Sequence, residues 1–216
     1  GYFGGGGYTS TVDRIDYSND TPTTPVRGPL TISTQLPAAT GNSSFGYFGG
    51  GFSLSIGQRS TVGRIDYAND TTTASVRGPL TSAKTGVAAC SARANGLPVT
   101  GPSTIANVPI QFFPPQFYGY FGGGFPGPAS RVDRIDYSND TATASVRGPL
   151  SAGRPYLAAT GNSSFGYFGG GGASGPQYLT TIDRIDYAND TAQASTRGPL
   201  SLARGDLAAT TNARNS

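Results

Sequence analysis

The chain contains no histidine, glutamate, methionine or tryptophan, and a single cysteine, Cys90. Each absence removes a class of chemistry. Without imidazole there is no Ser-His-Asp triad and no histidine metal site. Without glutamate, paired-carboxylate acid–base work falls to aspartate alone. One thiol cannot build an internal disulfide framework. Charge is scarce too, at 12% of residues with a net +3. No apolar run approaches the ~20 residues that a membrane helix needs, and no signal-peptide pattern is visible, so membrane insertion is not expected. What remains is rich in turn formers and aromatics, with 33 Gly, 16 Pro, 12 Tyr and 11 Phe in 216 residues. That glycine and proline share stays below the level of low-complexity chains, which predicts a folded, Gly-rich, all-β protein.

Internal repetition dominates. "RIDYSND" begins at Arg14 and Arg134, and "RIDYAND" at Arg64 and Arg184. Each precedes an "RGPL" whose arginine, Arg27, Arg77, Arg147 or Arg197, lies thirteen residues after the first. From the leucine of "RGPL" to the first alanine of an "AA" pair is eight residues every time. Fixed distances imply shared geometry, and variable ones mark loops. The chain therefore reads as a single domain, 1–216, with units at about 1–45, 46–90, 119–165 and 166–216. A long loop, 91–118, is inserted between the second and third units.

Four strands are predicted per unit: "LAAT", "GYF", "VDRIDY" and "TASVR". In "TVDRIDY", Ile15 and Tyr17 fall on one face and Val12, Arg14 and Asp16 on the other. "SND" supplies turn chemistry, because Asn and Asp side chains bond their own backbone. Pro22 and Pro25 interrupt the last strand of the first unit, which predicts that this strand is an outer edge. The chain starts at the second strand type and reaches a leftover first strand, "LAAT", only near its end. Four units joined head to tail, with that leftover strand completing the first sheet, make a closed ring.

The order "AAT…GYFGGG…VDRIDY…SVRGPL" resembles a kelch-type β-propeller repeat. In that family a strand ends in a Gly-Gly pair, matched by Gly5-Gly6, Gly50-Gly51, Gly123-Gly124 and Gly170-Gly171. An aromatic residue marks the following strand, matched by Tyr17, Tyr67, Tyr137 and Tyr187. The resemblance covers nearly the whole chain outside the long loop, although the usual Trp is missing and kelch propellers generally have more than four blades. It implies a four-bladed β-propeller of four-stranded antiparallel sheets, closed by pairing the C-terminal strand with the N-terminal blade. Some kelch-like propellers are copper oxidases, but their metal sites need imidazole, so that activity does not carry over. The unit also resembles repeats in virion-associated proteins of marine bacteriophages.

Several features bear on function. "GYFGGG" lacks the Lys-Ser/Thr ending of a phosphate-binding loop, so its glycines read as structural. Asp16 with Asp20, and their copies, offer oxygen ligands for calcium, but capping of the turn backbone accounts for them more simply. Arg14, Asp16 and Arg27, with Arg64, Asp66, Arg77, Arg134, Asp136, Arg147, Arg184, Asp186 and Arg197, are candidate ion-pair residues within or between blades. Because eleven of the twelve Asp share motifs with eight Arg, the basic field is neutralised and nucleic acid is not the expected partner. Cys90 ends "VAAC" where other units have Thr40, Thr160 and Thr210, which marks it as a packing residue. In the long loop, Phe112, Phe113, Phe117 and Tyr118 cluster around two prolines and are candidates for contact with a protein or a glycan.

No catalytic residue, metal or cofactor is assigned. The expected role is a non-enzymatic structural or adhesive module of an extracellular or virion assembly, such as a fibre, tail or surface appendage, binding protein partners through self-assembly or other components. A carbohydrate-binding, lectin-like propeller that recognises a surface glycan is the alternative, and an enzyme using Asp alone is a third.

Overall fold

A computed structural model describes residues 1–91, 117–126, 129–172 and 177–210. Among these residues the fold is all-β, with five antiparallel sheets and helix confined to single 3-10 turns such as Tyr67–Asn69. Sheet one has three strands: β1 (Tyr2–Gly4), β2 (Val12–Arg14) and β3 (Val26–Arg27). Sheet two is β4 (Ala38–Gly41), β5 (Phe45–Gly49), β8 (Val62–Asp66) and β9 (Ser75–Arg77). A small hairpin, β6 (Phe52–Ser53) with β7 (Gly57–Gln58), springs from the variable stretch after its glycines. Sheet three is β10 (Ala88–Ser91), β11 (Tyr118–Gly122), β12 (Val132–Asp136) and β13 (Ser145–Arg147). Sheet four is β14 (Ala158–Gly161), β15 (Phe165–Gly169), β16 (Ile182–Asp186) and β17 (Ser195–Arg197).

Register repeats along with sequence. Thr40, Cys90 and Thr160 stand opposite Tyr47, Tyr120 and Tyr167, which in turn stand opposite Arg64, Arg134 and Arg184. The "TASVR" strand lies at the outer edge of each of sheets one to four, where Pro25 costs the ladder one bond: its carbonyl accepts from Arg14 N, but with no N–H it returns none to Arg14 O, and β3 spans two residues where its counterparts span three. The paired glycines end the "GYF" strand in the left-handed region, with φ of 70° at Gly50 and 94° at Gly51. This turn aims Gly50 N at Thr61 O and Gly51 N at Lys84 O, tying the strand end to the linker that follows the sheet.

The cores lie between sheets. Both faces of sheets two and three are covered, so residues of one strand enter different cores. Val62, fully buried, packs with Phe121, Ile135 and Ala144 of sheet three, whereas Ile65 packs with Val12 and Leu30 of sheet one. Burying a residue of this size contributes about 1.5–3 kcal/mol, and each of the three junctions gathers several. Gly49 is small for the same reason. The ring of Phe121 occupies the place of its missing side chain.

The ring closure predicted from the sequence is not formed among the described residues. Leu207–Thr210 belong to no strand, Ala208, Ala209 and Thr210 are exposed, and the free edge of β1 has no partner strand. Asp206 N bonds Tyr156 O, just as Tyr156 N bonds Gly86 O one unit earlier. The last linker is thus set like the others, but among the described residues its "LAAT" pairs with no "GYF" strand.

Candidate functional site

The repeated charged residues converge at the junctions between sheets. At the junction of sheets two and three, Asp140 Oδ2 accepts the Tyr47 hydroxyl at 2.8 Å and Arg64 Nη1 at 2.7 Å, with Arg77 Nε at 3.4 Å. Asp70 receives Tyr2, Arg14 and Arg27 in the same way, and Asp190 receives Tyr120, Arg134 and Arg147. All eight ion pairs among the described residues join consecutive units. Burial pushes the Tyr47 and Tyr120 hydroxyls up from their ordinary acidity, and the facing carboxylates push them further.

The acid of each pair is therefore not the one singled out beside the arginine. Asp66, Asp136 and Asp186 instead accept the backbone N–H two residues on, at 2.9 Å, and cap the 3-10 turn. Asp16 accepts both the N–H and the hydroxyl of Ser18, which hold its carboxyl below the usual range. The reason is geometric. A carboxylate at the strand end reaches only its own turn, while the Asp at the turn's far end projects onto the preceding sheet.

"RGPL" is written for this contact. Its arginine reaches the Asp carboxylate, and Gly78 N donates to Asp140 O at 2.8 Å. The Pro79 carbonyl accepts from Ala144 N at 2.8 Å, and Leu80 enters the core. The approach at Gly78 is so close that any side chain would strike the Ala142 carbonyl. Gly28 and Gly148 meet Thr72 and Ala192 likewise.

A second, fully buried set of pairs had no counterpart in the sequence reading. Lys84 Nζ lies 2.8 Å from Asp133 Oδ2, and Arg154 Nη1 lies 2.9 Å from Asp183 Oδ2. Burial outweighs the Asp133 charge and lowers the Lys84 ammonium from its ordinary value. The signal lay in comparing units. The cation position reads Thr34, Lys84, Arg154, Arg204, and the acid position reads Asp13, Gly63, Asp133, Asp183. The cation is missing at Thr34 and the acid at Gly63, and those two face one another across the first junction, lining one small cavity with Arg59.

At the ends these sets stand half-made. Arg184 lies over the Phe165 ring at 4.1 Å and Arg197 is exposed, and neither forms an ion pair among the described residues. Arg204 holds the backbone position of Lys84 and Arg154, with its carbonyl accepting Gly171 N, yet its side chain is exposed. No side chain or backbone presses on Gly198. On sheet one, Asp20 is exposed, Phe3 is 63% exposed and Tyr17 is 81% exposed, whereas Phe48, Phe121 and Phe168, the counterparts of Phe3, are buried. Beside β1 lies an open cleft of about 760 Å³ bounded by Tyr2, Phe48, Tyr67, Ala39 and Thr40.

Of the aromatic candidates, Phe112 and Phe113 lie outside the described residues. Phe117 is 49% exposed, and its carbonyl accepts Tyr137 N. Tyr118 opens β11 with Arg134 at 4.0 Å over its ring, as Phe45 and Phe165 do with Arg64 and Arg184. The β6–β7 hairpin exposes Leu54 and Ile56 at its tip. Cys90 is buried, receives the Tyr187 hydroxyl at 3.7 Å, and has its thiol pushed up to about 12 by burial. Among the described residues no three Cys, Asp or other metal-type ligands cluster, and no helix is long and apolar enough to cross a membrane.

No family model matches this chain, and no curated protein sequence matches it. Among solved structures it is similar to one described as "Structure of YjhT", with a TM-score of 0.71 and 11% sequence identity. The likeness covers 94% of this chain and 63% of that one, and what it shows is a shared β-rich fold.

Proposed function

We propose that the chain is a kelch-like, propeller-type body of four units that acts as a non-enzymatic structural or adhesive module in an extracellular or virion assembly, binding other proteins. One observation carries this reading: every ion pair among the described residues is committed to holding one unit against the next. Three Asp carboxylates, the raw material for chemistry, each face a tyrosine hydroxyl and two arginines through Oδ2. The surface contributes exposed apolar side chains suited to contact: Leu54 and Ile56 on the hairpin, Phe117 at the other end of the sheets, and Phe3 and Tyr17 on sheet one. Immunogold labelling of the cells or particles that carry the chain tests the proposal. Label ordered along a fibre, tail or surface layer is the expected result, and label only on free protein overturns it.

The exposed Phe117 ring also favours a second reading, a lectin-like module stacking on sugar rings. A glycan array decides it, and silence across the array retires it.

A further inference from the structure

From the two half-made ends we infer that unit four of one copy docks onto unit one of a second copy, forming head to tail the junction that each chain repeats three times internally. The inference names a partner for the assembly role above and rests on it. The residues at the two ends correspond position by position to those of a completed junction. Tyr167, Arg184 and Arg197 stand where Tyr47, Arg64 and Arg77 meet Asp140, and the unused acid of that type is Asp20. Arg204 is the unused cation for Asp13, which is only partly buried, whereas Asp133 and Asp183 are fully buried. Phe3, 63% exposed, is the ring that would fill the space beside Gly169 as Phe168 fills that beside Gly122.

The backbone is complementary as well. Ala38, Ala39 and Thr40 pair with Gly49, Phe48 and Tyr47. By the same register Ala208, Ala209 and Thr210 pair with Gly4, Phe3 and Tyr2, and the cleft beside β1 is the slot for that strand. A second copy is favoured over the chain's own end because Leu207–Thr210 lie in no strand here, with Ala208, Ala209 and Thr210 exposed. The junction joins unlike faces, so it propagates from copy to copy until a ring closes or a filament grows.

Mass photometry and sedimentation of the full chain test this with two variants at exposed positions. Gly198→Val blocks the donating face, and Asp20→Arg blocks the receiving face. The wild type is expected to exceed its 22.0 kDa monomer mass increasingly with concentration. Each variant alone is expected to remain a monomer, and the two mixed one to one are expected to form a dimer that grows no further, since each supplies the face the other lacks. A wild type that stays monomeric overturns the inference, as does a monomer whose Ala208–Thr210 amides are protected from hydrogen exchange, the mark of closure within one chain. Association that neither variant affects overturns it too. A monomeric result leaves the immunogold test to judge the assembly role separately, through other components.

Discussion

Arg64 donates from Nη1 to the Asp140 carboxylate across 2.7 Å, although the two residues stand 76 positions apart in the chain. The same carboxylate oxygen also accepts the buried Tyr47 hydroxyl. Truncating it strands one hydroxyl and two guanidinium groups together. Asp140→Ala is therefore expected to cost about 3 kcal/mol, the lower end of the range for breaking a buried pair, because Arg64 and Arg77 keep 21% and 20% of their side-chain surface exposed. Asp20→Ala, at the equivalent but unpartnered position, is expected to stay within about 0.5 kcal/mol at concentrations where the chain is monomeric. Urea unfolding of the two variants makes the comparison. Equal costs would show that the junction does not hold the units.

Lys84 and Asp133 are both fully buried, so removing either leaves an uncompensated charge. Lys84→Thr is expected to cost about 3 kcal/mol. Adding Asp133→Gly to it reproduces the Thr34/Gly63 solution of the first junction and is expected to recover more than half of that loss. A double-mutant cycle measured by thermal or urea unfolding reads the coupling. Additive losses would mean that the two groups act independently.

Cys90 occupies a site where Thr40 bonds the Tyr137 hydroxyl at 2.9 Å. Cys90→Thr supplies Tyr187 with the same oxygen partner and is expected to change stability by less than about 1 kcal/mol. In the wild type, the thiol is expected to react with a thiol-specific dye only as fast as the protein unfolds, because it is buried and its thiolate is disfavoured. Rapid labelling of native protein would contradict this.

The protein is expected to lose stability in alkali. Cys90 is raised from 9.0 to about 12 and Tyr67 from 10.0 to about 12, and Tyr47, Tyr120, Tyr137 and Tyr187 are raised as well, all chiefly by burial. Above pH 9 the unfolded chain releases these protons first and the folded chain retains them. Stability is therefore fully present below pH 9 and falls as the pH climbs through 10 toward 12. Unfolding midpoints followed from pH 7 to 12 should stay level and then drop. Midpoints unchanged to pH 12 would show that these hydroxyls are not withheld from water.

The strands and their order were legible because their spacings were constant. Thirteen residues from Arg14 to Arg27 specify one turn geometry, and Pro22 with Pro25 placed the edge. Which acid each arginine meets was not legible. Asp66 and Asp70 recur at the same interval, and repetition shows that residues share a role without showing which unit supplies the partner. The turn settles it, since Asp66 is spent on Ala68 N while the side chain of Asp70 points at sheet one. The Lys84–Asp133 pair was concealed by variation. Thr, Lys and Arg alternate at one position, and only alignment against Asp13, Gly63, Asp133 and Asp183 reveals that the cation is lost just where the facing acid is lost. The final "LAAT" matches the strands that pair with a "GYF" edge, but the letters alone do not say where that edge lies, and among the described residues it is in no strand.

Because each junction runs in one direction, with tyrosine and arginines on the earlier unit and the carboxylate on the later, a unit carries half of two contacts and the whole of none. Duplicating or deleting unit three would leave every surviving boundary matched in charge, whereas deleting unit two would set Thr34 against Asp133 and duplicating it would set Lys84 against Gly63. A chain built this way can lengthen or shorten at its third unit with no new interface to invent at the scar.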